Sequence, residues 1–374
     1  MFWSSAAAQR GCVPLLRRCS LTVRPRCTVD TSRTFSISAS RSHAPDESKP
    51  RLKQWVLTVS PFATVRAQLG CSISVGPLDP HAFPEADRAF VTVHGADTEL
   101  QVHYDEHRSE LSISAEKVNS CASIDVAAPV KSSLFITTRG KGDVRVQKME
   151  SDICKVQTER GSCSLDSVKA HRVEVQSRCG SVTGGGTIHG NVDISTHGDG
   201  AVDVKKLQGT EMNVSTERGS LRVKAIYAES TCIRSHSGKV ELGHVHGSAT
   251  VTTVCGDAVI DGSNSFLKVS SQRGALDAYV GDGGSAELHS REGAVCVRVP
   301  SSLRAGVELC GASVEINSKV VLCGAENNTS QGQTTVTGFM NVESPVDQWV
   351  RARADRGSVT LKTQSWFESL KLGS

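Results

Sequence analysis

The chain has 374 residues, 38% hydrophobic but only 4% aromatic, and 42 lysines and arginines stand against 39 aspartates and glutamates. It is long enough for a sizeable core, and no apolar run reaches the roughly 18 residues that a membrane-crossing helix needs. A net charge of +3 lacks the one-signed basic character that nucleic-acid binding draws on.

The first 42 residues stand apart. Arg10, Arg17, Arg18, Arg24, Arg26, Arg33 and Arg41 face one acid, Asp30, among many Ser and Ala. An arginine-rich, serine-rich, acid-poor start is the composition of a mitochondrial transit peptide, and the unbroken apolar centre of a secretory signal is missing. Arg33-Thr34-Phe35-Ser36-Ile37-Ser38 resembles a matrix-peptidase site with arginine two residues before the cut, and Phe35 and Ser38 match the spacing of a second trimming that would leave His43 first. The expected location is the mitochondrial matrix. Losing seven bases and one acid turns the formal charge from +3 to −3, so the mature chain is expected to have no nucleic-acid partner and no membrane span.

Residues 43–123 read as an N-terminal β cap. Short strands follow one another without a fixed period (KQWVLTV, TVRAQL, CSISV, AFVTVHG, ELQVHY and ELSISAE), and Pro77, Pro80 and Pro84 mark a loop. A stack of repeats presents a bare apolar end and unpaired strand edges unless such a segment covers them.

Residues 124–374 are organised by a recurring glycine: Gly142, Gly161, Gly180, Gly200, Gly219, Gly238, Gly256, Gly274, Gly293 and Gly311. A spacing of 18–20 residues over so many returns marks a repeat whose apolar face is buried only against its neighbours. Apolar residues fall five before the glycine (Val156, Val175, Val214, Ile233), two after (Val182, Val202, Leu221, Val240) and four after (Leu165, Val204, Val223, Leu242). Steps of two are the strand period. The odd step across the glycine demands a bend there, which positive φ at glycine would allow. Val168, Leu207, Ile226 and Val245 add a third apolar position, set off by further odd steps, so each repeat turns three corners. The expected fold is all-β: a β-solenoid, β-helix-like, of about ten coils of 18–20 residues with β caps at both ends. Its handedness is left open, with right-handed the favoured sense. Sandwiches space their strands irregularly and propeller blades repeat at about 40 residues, so the period speaks against both.

Ile124 to Pro129 is a strand ended by proline, and LFITTRGKGDVRV after it reads as the first coil. The arrangement returns at Val297-Arg298-Val299-Pro300, the expected start of the closing part. Ala325 to Gln333 (AENNTSQGQ) reads as a loop, RARADRGSVTLKT resumes the pattern around Gly357, and Trp366, Phe367, Leu370 and Leu372 could plug the far end.

The V-x-V-x-S/T-x-x-G-x-V/L-x-V units at Val156 to Leu165, Val173 to Val182 and Met212 to Val223 resemble an adhesin-like domain of unknown function common in bacteria, over about Ile124 to Thr363. With its arginine-rich start, the whole chain is similar to an animal mitochondrial family carrying that domain. The resemblance implies a β-solenoid and supplies no established activity and no catalytic residues.

The residues offer little chemistry. Ten cysteines follow the presequence without a C-x-x-C pair and read as small buried hydrophobes. Asp143, Asp199, Asp257 and Asp282 follow glycines as turn residues do, and Arg160, Arg218, Arg273 and Arg356 belong to a mixed, solvated face. His244 and His246 point the same way from a strand but lack a third ligand, which zinc requires. Gly184-Gly185-Gly186 has no phosphate-loop context. Carbohydrate platforms are limited to Tyr227, Phe266 and Tyr279. No catalytic, cofactor or metal residues are expected, and the site residues are the ten structural corner glycines. The expected function is a non-enzymatic protein-binding or scaffolding module for an unknown protein partner, with self-association as a variant. The alternatives are a polysaccharide-type hydrolase or lyase on a β-helix, and adhesin-like glycan binding.

Overall fold

The structure, a computed structural model, describes residues 53–95, 99–115, 122–342 and 346–365. All of the described residues belong to one compact unit. The transit-peptide expectation over 1–42 and the closing residues Trp366, Phe367, Leu370 and Leu372 lie outside the described residues.

The described residues form strands and turns and no helix. Six strands come first: β1 (Lys53–Thr58), β2 (Thr64–Leu69), β3 (Ser72–Pro77), β4 (Arg88–His94), β5 (Leu100–Asp105) and β6 (Glu110–Ala115). The repeats follow as β7 (Ser123–Ala128), β8 (Ser133–Thr138), β9 (Val144–Gln147), β10 (Glu150–Thr158), β11 (Cys163–Asp166), β12 (Val168–Ser177), β13 (Val182–Thr196), β14 (Val202–Thr216), β15 (Leu221–Ser235), β16 (Val240–Cys255), β17 (Ala258–Ser263), β18 (Phe266–Arg273), β19 (Leu276–Val280), β20 (Ser285–Ser290) and β21 (Val295–Val299). The chain closes with β22 (Ala305–Gly311), β23 (Ser313–Ile316), β24 (Leu322–Ser330), β25 (Gln333–Met340), β26 (Trp349–Ala354) and β27 (Ser358–Thr363).

Each repeat pairs in parallel with the next, so the period seen in the sequence is the register of the sheet. Val182 faces Val202, Val202 faces Leu221, Leu221 faces Val240 and Val240 faces Ala258. Within β14 the buried residues are Val202, Val204, Leu207, Met212, Val214 and Thr216. The odd steps from Val204 to Leu207 and from Leu207 to Met212 turn the chain between three inward-facing segments, which gives a solenoid-like ladder. Val214, Ile233, Val251 and Val269 form one column of that core, each at most 1% exposed, and burying each is worth about 1.5–3 kcal/mol. Branched aliphatic chains suit so narrow an interior because they fill it without needing room for a ring.

The glycine corner has a different cause from the one its periodicity suggests. Of the ten corner glycines only Gly256, at φ 131°, has positive φ, so left-handed backbone is not what Gly161, Gly219 and Gly274 supply. A Cβ on any of these three would collide with the carbonyl oxygen of the preceding repeat's glycine. Hydrogen-bonded layers bring the backbones into contact at this corner, and only a residue without a side chain fits. Beside the glycines runs a column of buried hydroxyls: Thr138, Thr158, Ser177, Thr196, Thr216, Ser235, Thr253, Ser271 and Ser290. Ser177 Oγ donates to the Gly180 carbonyl and accepts from the Gly180 amide, and Ser235 does the same with Gly238.

Both ends interleave segments distant in sequence. Strands β2 and β3 pair in parallel with β8 and β9 on one side and with β6 and β7 on the other. The LFITTRGKGDVRV repeat is therefore preceded in the ladder by further parallel layers. Antiparallel strands finish that end, β5 on β6, β4 on β7 and β1 on β4. At the other end β26 and β27 slot between β20–β21 and β22–β23. Gly311 thus lies beyond Gly357 and outside the run in which each glycine meets its predecessor. The AENNTSQGQ stretch, expected as a loop, is mostly strand: β24 pairs antiparallel with β25 around a two-residue turn, Gln331 (φ 53°) and Gly332 (φ 77°). Two successive positive φ values match the twist of a tight hairpin.

Candidate functional site

Side chains alternate across each strand, so the segment before every corner glycine turns one residue in two outward. The parallel register stacks these outward residues into columns. One column runs Gln68, Thr137, Gln157, Gln176, Ser195 and Ser215, all uncharged and polar. Layers spaced about 4.8 Å apart make this run roughly 24 Å long. Gln157 Nε2 donates to Gln176 Oε1 at 3.1 Å, which links two layers through their side chains.

The neighbouring outward column is charged but pairs across layers. Lys155 meets Glu174 at 2.8 Å and Lys268 meets Glu287 at 3.2 Å; Arg351 then bridges Glu287 at 3.7 Å and Glu308 at 3.3 Å. Between these pairs the column runs Asp193, Asn213, Cys232 and Thr250, so the bridged charges largely offset one another and Asp193 adds one further negative charge. Next to the uncharged column a groove of about 540 Å³ is lined by Thr137, Gln157 and Gln176 with Arg139, Glu159 and Arg178. The Glu159 carboxylate accepts the Gly140 amide at 2.7 Å, and that hydrogen bond first of all holds it below the usual carboxylate range. Glu217 is held low in the same way by the Gly198 amide at 2.8 Å. Both serve as layer-to-layer acceptors of backbone N–H, a bond that is stronger to the ionised carboxylate and so favours that form.

The other residues singled out in the sequence mostly join adjacent layers. Asp143 accepts the Ser162 amide at 2.7 Å and Asp257 the Ala275 amide at 2.8 Å, while Asp199 pairs with Arg218 at 2.8 Å. Arg273 donates to Cys255 Sγ at 3.0 Å and Arg356 to Glu292 at 3.2 Å. Arg160 is exposed. The glycines Gly142 to Gly293 lie along one corner, and the aspartates and arginines surround it without converging on a point. His244 lies beside Ala225 and Gly262, and His246 stacks on Tyr227 with ring centroids 4.5 Å apart. Among the described residues no three His, Cys, Asp or Glu side chains gather as a metal site would need.

Three departures from the sequence reading bear on chemistry. Of the described cysteines, Cys71, Cys154 and Cys163 are buried, Cys179 is exposed and the rest are half-buried, so the buried-hydrophobe expectation covers only those three. The hydroxyl column was present in the S/T-x-x-G motif, but nothing in a linear pattern showed that it faces inward. Arg298 has no sequence signal: its side chain is 8% exposed and binds Asp277 at 2.5 Å, Asp261 at 3.3 Å and Gln364 at 3.1 Å. Those partners lie 21, 37 and 66 residues away.

Comparison with known proteins gives one family match: residues 186–362 fit the model of the family described as Toastrack DUF4097. A solved "putative adhesin" from Parabacteroides merdae is similar at 12% identity, covering 63% of this chain and 95% of its own, with a TM-score of 0.34. A "putative cell adhesion protein" from Clostridium sporogenes is similar at 12% identity over 84% of this chain and 100% of its own, with a TM-score of 0.19. A "putative adhesin" from Bacteroides fragilis shares 13% identity over 84% and 97%, with a TM-score of 0.24.

Proposed function

We propose that this chain is a non-enzymatic protein-binding or scaffolding module that engages its partner through the uncharged face running from Gln68 to Ser215. The carrying observation is the six-layer column of Gln, Thr and Ser, whose donors and acceptors repeat at the spacing of the sheet. An extended partner segment laid along the ladder meets an equivalent group at every layer. Uncharged groups cost less to desolvate than paired ions, which favours this column over the charged one beside it. In the same reading the chain is a right-handed solenoid of about ten coils, a member of an animal mitochondrial family, and acts in the matrix after losing residues 1–42.

Proximity labelling in mitochondria tests the binding face, comparing the native chain with Gln157→Lys/Gln176→Lys and with the control Arg222→Gln, an outward residue of the segment after Gly219 that pairs with Glu241 away from the uncharged column. The expected result is a set of neighbours lost in the double variant and kept in the control. The same neighbours with all three chains, or none above background alongside turnover in a substrate screen, would overturn the reading. N-terminal sequencing of the organelle-purified protein tests the matrix assignment: His43 first supports it, and an intact Met1 refutes it.

A further inference from the structure

A corner cleft that begins two layers beyond Ser215 and lies on another side of the ladder carries a second site. It has a volume of about 410 Å³ and is lined by His244, His246, Asp261, Asn264, Tyr279 and Asp282, contributed by successive layers. Glycine keeps it open. A Cβ at Gly262 would stand 3.0 Å from His244 Nδ1, and one at Gly281 would collide with Asn264 Oδ1.

Tyr279 is the residue that does not fit a purely structural account. Leu276 and Ala278 on β19 point inward, so strand alternation turns Tyr279 outward, yet it is only 5% exposed. No hydrogen bond reaches its hydroxyl among the described residues. The ring is enclosed, but the hydroxyl is not among the buried oxygens without a partner: it opens to solvent at the cleft, where a ligand could replace water. Around it, Asp282 Oδ1 accepts from Ser302 at 2.7 Å, which leaves Oδ2 uncommitted. Asp261 is held by Arg298, whose other donors bind Asp277, Gln364 and the Ile260 carbonyl. The Asn264 carboxamide and the His244 and His246 rings make no hydrogen bond among the described residues. At the mouth the His246 ring borders the cleft, backed by Tyr227, whose far face is covered by the Lys206 ammonium 4.9 Å from its centroid.

The free groups decide the ligand class. A phenol, a carboxamide and two imidazoles each donate and accept, and one carboxylate oxygen accepts. An ammonium or guanidinium group only donates and would leave the amide and phenol hydrogens facing it. An anion would meet Asp261 and Asp282. Hydroxyl groups donate and accept together, and the C–H face of a sugar ring can lie against the His246 imidazole at the mouth. We propose that this cleft binds the vicinal hydroxyls of an uncharged sugar ring, held by the Tyr279 hydroxyl, the Asn264 amide and the Asp282 carboxylate. The site stands independently of the Gln68–Ser215 face.

Calorimetric titration of the full chain with maltotriose, cellotriose, adenosine and argininamide tests it. The expected result is saturable one-site binding of at least one of the first three, a trisaccharide marking a saccharide ligand and adenosine alone a ribose. Tyr279→Phe, which removes only the hydroxyl, should weaken that binding about 5-fold while thermal unfolding stays unchanged. Asp282→Asn, an exposed position, should weaken it at least as much and guards against a folding defect in the first variant. Preference for argininamide, no binding of any neutral probe at millimolar concentration, or equal affinity in both variants would overturn the proposal. None of these results bears on the partner-binding face.

Discussion

The carbonyl oxygen of Gly293 lies against the α-carbon of Gly357, 64 positions ahead in the chain, where a Cβ would collide with it. Gly161 meets Gly142, and Gly219 meets Gly200, in the same way after a single repeat. The corner therefore keeps its geometry even where the chain leaves the ladder, forms the β24–β25 hairpin and returns. What is conserved along the ladder is backbone contact between layers rather than sequence adjacency.

That contact makes glycine substitution costly for a steric reason. Gly219→Ala should destabilise the fold by about 3 kcal/mol, and Gly219→Val by more, because the added Cβ meets the Gly200 carbonyl and neighbouring backbone cannot retreat without breaking the ladder. Gly332→Ala, at φ 77° with nothing within 4 Å, should cost only about 1 kcal/mol. Urea unfolding of the three variants checks this. Equal losses at Gly219 and Gly332 on replacement by Ala would remove the close-approach argument.

The buried hydroxyl column should respond unevenly. Ser177→Ala strands both the Gly180 amide and its carbonyl and should cost about 1–2 kcal/mol. Thr158 Oγ1 is buried without a hydrogen-bond partner among the described residues, so Thr158→Val should be within about 0.5 kcal/mol of neutral or stabilising. Thermal denaturation of both variants reads the contrast, and a large loss at Thr158 would show a partner such as ordered water.

Cysteine reactivity should follow burial. Desolvation pushes the Cys154 thiol up to about 12 and raises Cys163 as well, whereas Cys179 is exposed. Because the thiolate is the reacting form, iodoacetamide should label Cys179 in the native protein and spare Cys154 and Cys163 until denaturant is added. Peptide mass spectrometry gives the order; native labelling of Cys154 would mean that the core opens locally.

Acid should loosen the layer contacts made by Glu159 and Glu217. Each carboxylate sits below its ordinary 4.5, chiefly through a backbone N–H donated by the adjoining layer. A depressed folded-state value means that the stabilisation is present above 4.5 and is lost as pH falls through the folded value. The side-chain carboxyl resonances of both residues should titrate below 4.5, and Glu159→Gln should make stability fall less steeply with acid in that range. Titration at or above 4.5 would contradict the hydrogen-bonded geometry.

Sequence periodicity alone determined the all-β class, the repeat length and which apolar residues of the repeats face inward, because a parallel ladder forces equivalent residues of successive layers into one column. Val202 above Leu221 above Val240 is the register that the 19-residue spacing implies. The six early strands were likewise legible from their two-residue alternation. Only the tertiary structure decided which layer follows which at the ends, since β-pairing depends on edges meeting in space and not on chain order: β2 and β3 enter from the N-terminal segment, and β26 and β27 return to displace Gly311 from its expected neighbour. It also decided why glycine recurs, as a contact between backbones cannot be told from a φ requirement in a one-dimensional pattern. The cleft around Tyr279 escaped the sequence for the same reason. Its walls come from layers that share no local motif, and strand alternation alone would place that tyrosine in solvent.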